Sequence, residues 1–285
     1  MTLTLKFLFF ATAVLFFDVQ NAYGQSCCTT ASVTSEFADM GANEIFALAH
    51  LEPQAIDFQG VGHEISIPTA GKEAKGYLVR SKTPSKEYLF VIHEWWGLND
   101  HIKQMAEEYA RILNGVNVLC LDLYDGRNTD DKDIAAKLMQ KADESRIREI
   151  IQGAAEYTGG LARVQTVGWC FGGGWSLQAS LILGRKGTGC VMYYGMPEKD
   201  LKTLEQLNAP VLGIFAEQDG WITPEIVAEF EDKLMSIGKE VKILSYDAEH
   251  AFANPSNPQY DRKSTALAHA EAIKFLRANL GTSRK

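Results

Sequence analysis

The segment Thr166-Val167-Gly168-Trp169-Cys170-Phe171-Gly172-Gly173-Gly174-Trp175 lies between an apolar run at 164–169 and a helix-forming run at 173–183. It has the form G-x-C-x-G, with cysteine where the more familiar motif carries serine. A strand that turns sharply into a helix forces the residue at the bend into a strained backbone conformation and exposes its side chain. Small residues two before and two after the bend remove Cβ clashes, and Gly173 and Gly174 let the helix lie close to the sheet. The sulfur of Cys170 then sits at the positive end of a helix, which favours negative charge there. The N–H of Phe171 is placed to donate to an oxyanion. Taken alone, G-x-C-x-G more often marks a buried structural cysteine; the flanking strand and helix weigh against that here. Cys120 and Cys190 sit inside apolar runs and are expected to be inert core residues.

Outward from this turn the chain repeats one pattern. Short apolar runs at 88–92, 116–123, 164–169, 189–194, 210–216 and 241–246 alternate with helical periods at 101–113, 131–142, 145–158, 173–183, 224–237 and 262–280. Two further strand-like segments, 60–67 and 74–80, precede them around a Thr69-Ala70-Gly71 turn. Apolar strands alternating with amphipathic helices predict a doubly wound, mostly parallel sheet with helices on both faces, as a single domain. Ligands bind such sheets at the carboxyl ends of the strands.

Those ends carry the rest of the chemistry. Asp219 follows the apolar run at 210–216, and His250 follows the next one. The order nucleophile, acid, histidine is that of an α/β-hydrolase triad, with His250 as base and Asp219 orienting it. Of the other histidines, His50 and His63 lie near the start, away from any triad position, while His101 and His269 fall on helices. Glu94, in His93-Glu94-Trp95-Trp96-Gly97-Leu98, ends the run at 88–92; a buried carboxylate beside a thiol can hold or withdraw its proton. The N–H of Trp95 is the candidate second oxyanion donor.

Composition bounds what this site can serve. The 285 residues are 46% hydrophobic and 22% charged, as in an ordinary globular protein. With 36 acidic against 28 basic residues the net charge is −8, which gives no electrostatic footprint for nucleic acid. Five cysteines are too few, and odd in number, for a disulfide scaffold. At the start, Lys6, the ten-residue apolar run 8–17 and Ala22-Tyr23-Gly24 form a secretory leader pattern with cleavage expected before Gln25. The run is too short to span a bilayer, so no stable membrane insertion is expected once it is removed. Lipid anchoring at Cys27 is disfavoured, because Gly24-Gln25-Ser26 lacks the aliphatic residue such a site needs. The expected organisation is a leader at 1–24, a partly helical extension at 25–55 and the α/β domain at 56–285, exported as a monomer to the periplasm or the medium.

HEWWGL at 93–98, GWCFGG at 168–173, EQDG at 217–220 and EHAF at 249–252 together resemble the dienelactone hydrolase family, from about residue 60 to the C-terminus. The resemblance implies an α/β-hydrolase fold and hydrolysis of a lactone or small ester through a cysteinyl thioester. Cys170 would be the nucleophile, His250 the general base and acid, Asp219 its partner, and Glu94 the residue that helps generate the thiolate when substrate binds. It implies neither a metal nor an organic cofactor. One departure stands out: where the family holds a substrate carboxylate with two arginines, this chain has Asn254 and, by a loose alignment, Lys132. Asn carries no charge and Lys loses the bidentate fork, so the substrate need not be a carboxylated lactone. Arg127, Trp96 and Phe252 complete the candidate pocket. The alternative function is a non-catalytic member of the fold that binds a small ligand; degenerate members usually lose a triad residue, and none is lost here.

Overall fold

The structure is a computed structural model that describes residues 1, 32–258 and 260–281. The leader and the Cys27-Cys28 pair, on which expectations were placed above, lie outside the described residues. Strands β1 (His63–Ile67), β2 (Ala74–Val79), β3 (Glu87–Ile92), β4 (Asn117–Leu121), β5 (Arg163–Trp169), β6 (Gly187–Tyr193), β7 (Val211–Ala216) and β8 (Val241–Tyr246) form one sheet. Their order is β1-β2-β4-β3-β5-β6-β7-β8. β2 pairs antiparallel with both β1 and β4, and every pairing from β4 through β8 is parallel. This is the α/β-hydrolase-like architecture expected from the alternating pattern. The mostly apolar β4, β6 and β7 are buried along their whole length, whereas β8, only partly buried, is one of the two edges.

Helices α1 (Val33–Gly41) and α2 (Glu44–Ala49) come from the extension. Then follow α3 (Asp100–Leu113), α4 (Lys132–Gln140), α5 (Glu144–Tyr157), α6 (Phe171–Leu183), α7 (Leu201–Glu205), α8 (Pro224–Ser236) and α9 (Arg262–Ala278). Side chains of Asn99, Asp131, Asp143 and Asp261 accept hydrogen bonds from first-turn N–H groups of α3, α4, α5 and α9, so most of these starts are written as N-caps. The short helix α7 carried too little periodicity to be read from the sequence. Among the described residues, no helix is long and apolar enough to cross a membrane.

α6 positions the site. Its first ten residues are all buried, so it lacks the polar face of an ordinary surface helix. It lies against β5 and β6 and is pinned by hydroxyls: Ser176 Oγ sits 2.8 Å from both Thr166 Oγ1 and the Val191 carbonyl. Two glycines permit the close approach. A Cβ on Gly168 would lie 2.0 Å from the Gly172 carbonyl oxygen, and one on Gly172 would lie 2.3 Å from the carbonyls of Ile92 and His93. Gly174 has a different use, because a Cβ there would strike Val33 and Phe37 of α1. The extension is thus docked on the helix that carries the bend.

Backbone atoms, which cannot rotate away, cause the clash at Gly172. Gly172→Ala is therefore expected to cost about 2 kcal/mol or more in urea unfolding, against a near-zero effect for Gly160→Ala, whose Cβ would meet open space.

Candidate active site

Cys170 occupies the bend between β5 and α6 at φ 51°, ψ −117°, a conformation that L-residues rarely adopt. Its N–H donates to the Tyr193 carbonyl at 3.0 Å, and its own carbonyl accepts from Gly173 and Gly174. The strain is thus held from both sides. The other described cysteines, Cys120 and Cys190, are buried in strands, and burial pushes both thiols up in pKa, as inert core residues require.

Asp219, in the turn after β7, receives the N–H groups of Trp221 and Ile222 on Oδ1 at 2.9 and 3.0 Å. Its other oxygen lies 2.6 Å from His250 Nδ1. That bond fixes Nδ1 as the protonated nitrogen and leaves Nε2 with no hydrogen-bond partner. Burial disfavours the imidazolium of His250, but the charges of Asp219 and then Cys170 outweigh it and raise the pKa to about 10. Burial would likewise raise Asp219, yet the facing imidazole and its donors hold it below the ordinary carboxylate value. The sequence-predicted trio is brought together as an oriented Asp219–His250 pair beside Cys170.

Glu94 is fully buried at the end of β3. Oε1 accepts from Ser256 Oγ at 2.6 Å and Oε2 from the Trp96 N–H at 2.7 Å. Burial dominates these two donors and pushes its pKa up to about 8, so the carboxyl is largely neutral at pH 7. It does not cap α3; Asn99 does. The neighbouring His93 is structural: its Nδ1 lies 2.6 Å from the Glu94 carbonyl and its Nε2 accepts from the Leu123 N–H at 3.1 Å. Phe171, as first residue of α6, has an N–H that the helix cannot use, and the N–H of Trp95 likewise has no acceptor among the described residues.

The pocket candidates divide. Trp96 and Phe252 are buried, the first packed on Trp95 and the second on Tyr194. Asn254 is buried with Oδ1 accepting from the Ser256 N–H, so it braces the loop that holds Glu94. Arg127 is exposed, its Nε on the Tyr124 carbonyl, and Lys132 opens α4. A cleft of about 1040 Å³ lies over α3 and α9 and includes Asn254 but none of Cys170, Asp219 or His250.

The chief correction concerns His50. The sequence placed it away from the chemistry, yet it is buried at the end of α2 with its ring 5.5 Å from that of His250. Phe46, from the same helix, stacks within 5.6 Å of His50, Trp95, Trp221 and His250. Cys170 is wholly covered. The hydroxyls of Tyr124 and Tyr194 are also buried, that of Tyr124 without a partner, and burial pushes both phenols well above their ordinary pKa. No local motif marked these residues; their only signals were the strand-end positions of the two tyrosines and the apolar period of the extension.

The profile of the dienelactone hydrolase family matches residues 74–280. The chain belongs to the dienelactone hydrolase family. Among relatives, carboxymethylenebutenolidase 1 of Cupriavidus pinatubonensis is 24% identical over 230 residues, covering 75% of this chain and 95% of that one. Protein usf of Aquifex pyrophilus is 27% identical over 207 residues, covering 68% and 88%. The crystal structure of a dienelactone hydrolase-like promiscuous phosphotriesterase from metagenomic libraries superposes with a TM-score of 0.65 at 20% identity, covering 78% of this chain and all of that one. The dienelactone hydrolase match begins after α1 and α2, so His50 and Phe46 enter the site from outside it.

Glu94 also sets a pH dependence. A carboxyl whose pKa rises on folding stabilises the fold fully below its unfolded value and loses that contribution as pH rises through about 8. Glu94→Gln keeps an acceptor for Trp96 and offers a donor to Ser256. Its Tm relative to the parent is therefore expected to improve steadily between about pH 4.5 and pH 8, as read by differential scanning calorimetry.

Proposed function

We propose that the chain is an exported hydrolase that opens a lactone or cleaves a small ester through a thioester on Cys170. The observation that carries this reading is the Asp219–His250 pair at 2.6 Å, with its free Nε2 next to a cysteine held at a strained strand–helix bend. In the first half-reaction His250 Nε2 takes the thiol proton and Sγ bonds to the carbonyl carbon. The tetrahedral oxyanion accepts from the N–H groups of Phe171 and Trp95. Collapse breaks the ester C–O bond, and the departing alkoxide takes the proton from the imidazolium; in a lactone that alcohol stays tethered. A water then gives its proton to His250 and attacks the thioester, releasing the acid and restoring the thiol. Asp219 keeps Nδ1 protonated and offsets the imidazolium charge throughout.

Glu94 has a subsidiary part. Neutral and tied to Ser256 while the site is closed, it places no second negative charge beside Cys170, so the thiol proton goes to His250; Glu94 becomes a base only after its own proton has left to solvent. For substrate, Asn254 in place of a cation and the buried, unpartnered hydroxyl of Tyr124 favour an uncharged acyl group held by neutral donors. The leader at 1–24 supports export.

Cys170→Ala is expected to lower kcat for an activated ester about 1000-fold or more, while Cys120→Ala retains activity. Equal loss in both would remove Cys170 as nucleophile, and an acyl adduct on the peptide containing Cys170 by mass spectrometry is the direct readout. Across a lactone and ester panel, neutral members should show higher kcat/KM than carboxylated analogues; the opposite ranking would restore an acidic substrate. N-terminal sequencing of exported protein should begin at Gln25, and retention of Met1 would overturn the leader.

A further inference from the structure

His50, Cys170 and His250 form a second constellation that hydrolysis does not use. A ring nitrogen of each histidine and Sγ of Cys170 lie within 4.8 Å of one another, and all three residues are buried. Each imidazole has its Nδ1 engaged: His50 at 2.7 Å from the Phe46 carbonyl, His250 at 2.6 Å from Asp219. Nε2 is thus the nitrogen that each ring has left for a ligand, and neither Nε2 has a hydrogen-bond partner among the described residues; at His250 the one proton that this nitrogen shares with Cys170 leaves when a metal binds. An unpartnered buried polar atom destabilises the fold, and two beside one sulfur call for an explanation.

We propose that His50, Cys170 and His250 bind a thiophilic divalent cation of the Zn2+ type, and that its capture blocks the nucleophile. The donor set is two imidazoles and a thiolate, the chemistry that Zn2+ favours. Both imidazoles carry the outer hydrogen bond that zinc-bound histidines require, one to a carboxylate and one to a backbone carbonyl. Bond lengths of about 2.0 Å to nitrogen and 2.3 Å to sulfur place tetrahedral ligand atoms roughly 3.3–3.7 Å apart. The present spread of up to 4.8 Å therefore closes with a shift on the order of 1 Å. On binding, Sγ forms a bond to the metal and its proton leaves to solvent; nothing is oxidised or reduced. α2 can supply that shift, since it has six residues and Phe46 is its one buried side chain. His50 precedes the family-matched residues, so the extension adds the third ligand to the two that the matched domain supplies. The site stands on the three side chains; its inhibitory effect rests on the hydrolase reading of Cys170.

The test uses the full mature chain with Cys27→Ser and Cys28→Ser, so that these thiols cannot bind metal. Co2+ titration should give a sulfur-to-cobalt charge-transfer band and tetrahedral visible bands at one equivalent, both bleached by Zn2+. Cys170→Ser should abolish the charge-transfer band, and His50→Gln should weaken Zn2+ binding about tenfold or more in chelator competition. His50→Cys, which restores a ligand, should recover it and exclude misfolding as the cause. Zn2+ should inhibit ester turnover with the same affinity that it shows in competition, and less tightly in His50→Gln. A band without measurable turnover would support the site and remove the hydrolase reading. No band in the parent, or a band unchanged by both Cys170→Ser and His50→Gln, would overturn the site.

Discussion

The strained bend at Cys170 is the constraint to which the rest of the site answers. A positive φ at a residue with a Cβ costs on the order of 1–3 kcal/mol and persists only where neighbours over-determine it. Here the neighbours are specific. Tyr193 accepts the Cys170 N–H, the turns of α6 take its carbonyl, and glycines at 168 and 172 let the helix and the end of β3 approach to backbone contact. Because those contacts come from β3, β5 and β6 together, the sheet must be complete before the sulfur is in place. The same packing brings the strand-end turns of Glu94, Asp219 and His250 to one edge, so the geometry of one residue fixes the address of the others.

Electrostatics at this edge is arranged by burial and then corrected by single partners. Burial raises Glu94 and disfavours charge on His250 and His50 alike. Asp219 reverses the effect at His250, while His50, whose partner is a neutral carbonyl, is driven down to about 3 by burial and then by the His250 charge. Two imidazoles with rings 5.5 Å apart therefore hold opposite protonation preferences. One is suited to carry a proton and the other to present a lone pair, and the difference comes from what lies behind each ring.

Much of this was legible in the residues. The alternation of apolar runs and helical periods was enough for a mostly parallel sheet, and strand-end position was enough to select Cys170, Asp219, His250 and Glu94 from many candidates. The extension was read as partly helical, and it holds the two helices α1 and α2. What could not be read was where that extension goes. Gly174 leaves room for Phe37, and the aromatic cluster leaves room for Phe46, but these are complementarities between segments over a hundred residues apart that no local period encodes. His50 was set aside for the same reason. Distance along the chain is a poor guide to distance in a fold whose first helices close over its last catalytic turn. The pocket was also illegible in part: Asn254 could be read as an absent charge, but not as a brace for Ser256.

Phe46 gives this arrangement a kinetic meaning. Cys170 is fully covered, so substrate reaches the sulfur only when the side chains above it move, and where a covered form dominates, apparent affinity is the intrinsic affinity scaled by the fraction of the open one. If the open form is about 1% of the population, the penalty is about a hundredfold, and a ligand that favours the open form removes it. On the outer side of α2, Ile45 and Leu48 are 70% and 58% exposed, so the helix nearest the covered sulfur is held by Phe46, its one buried side chain.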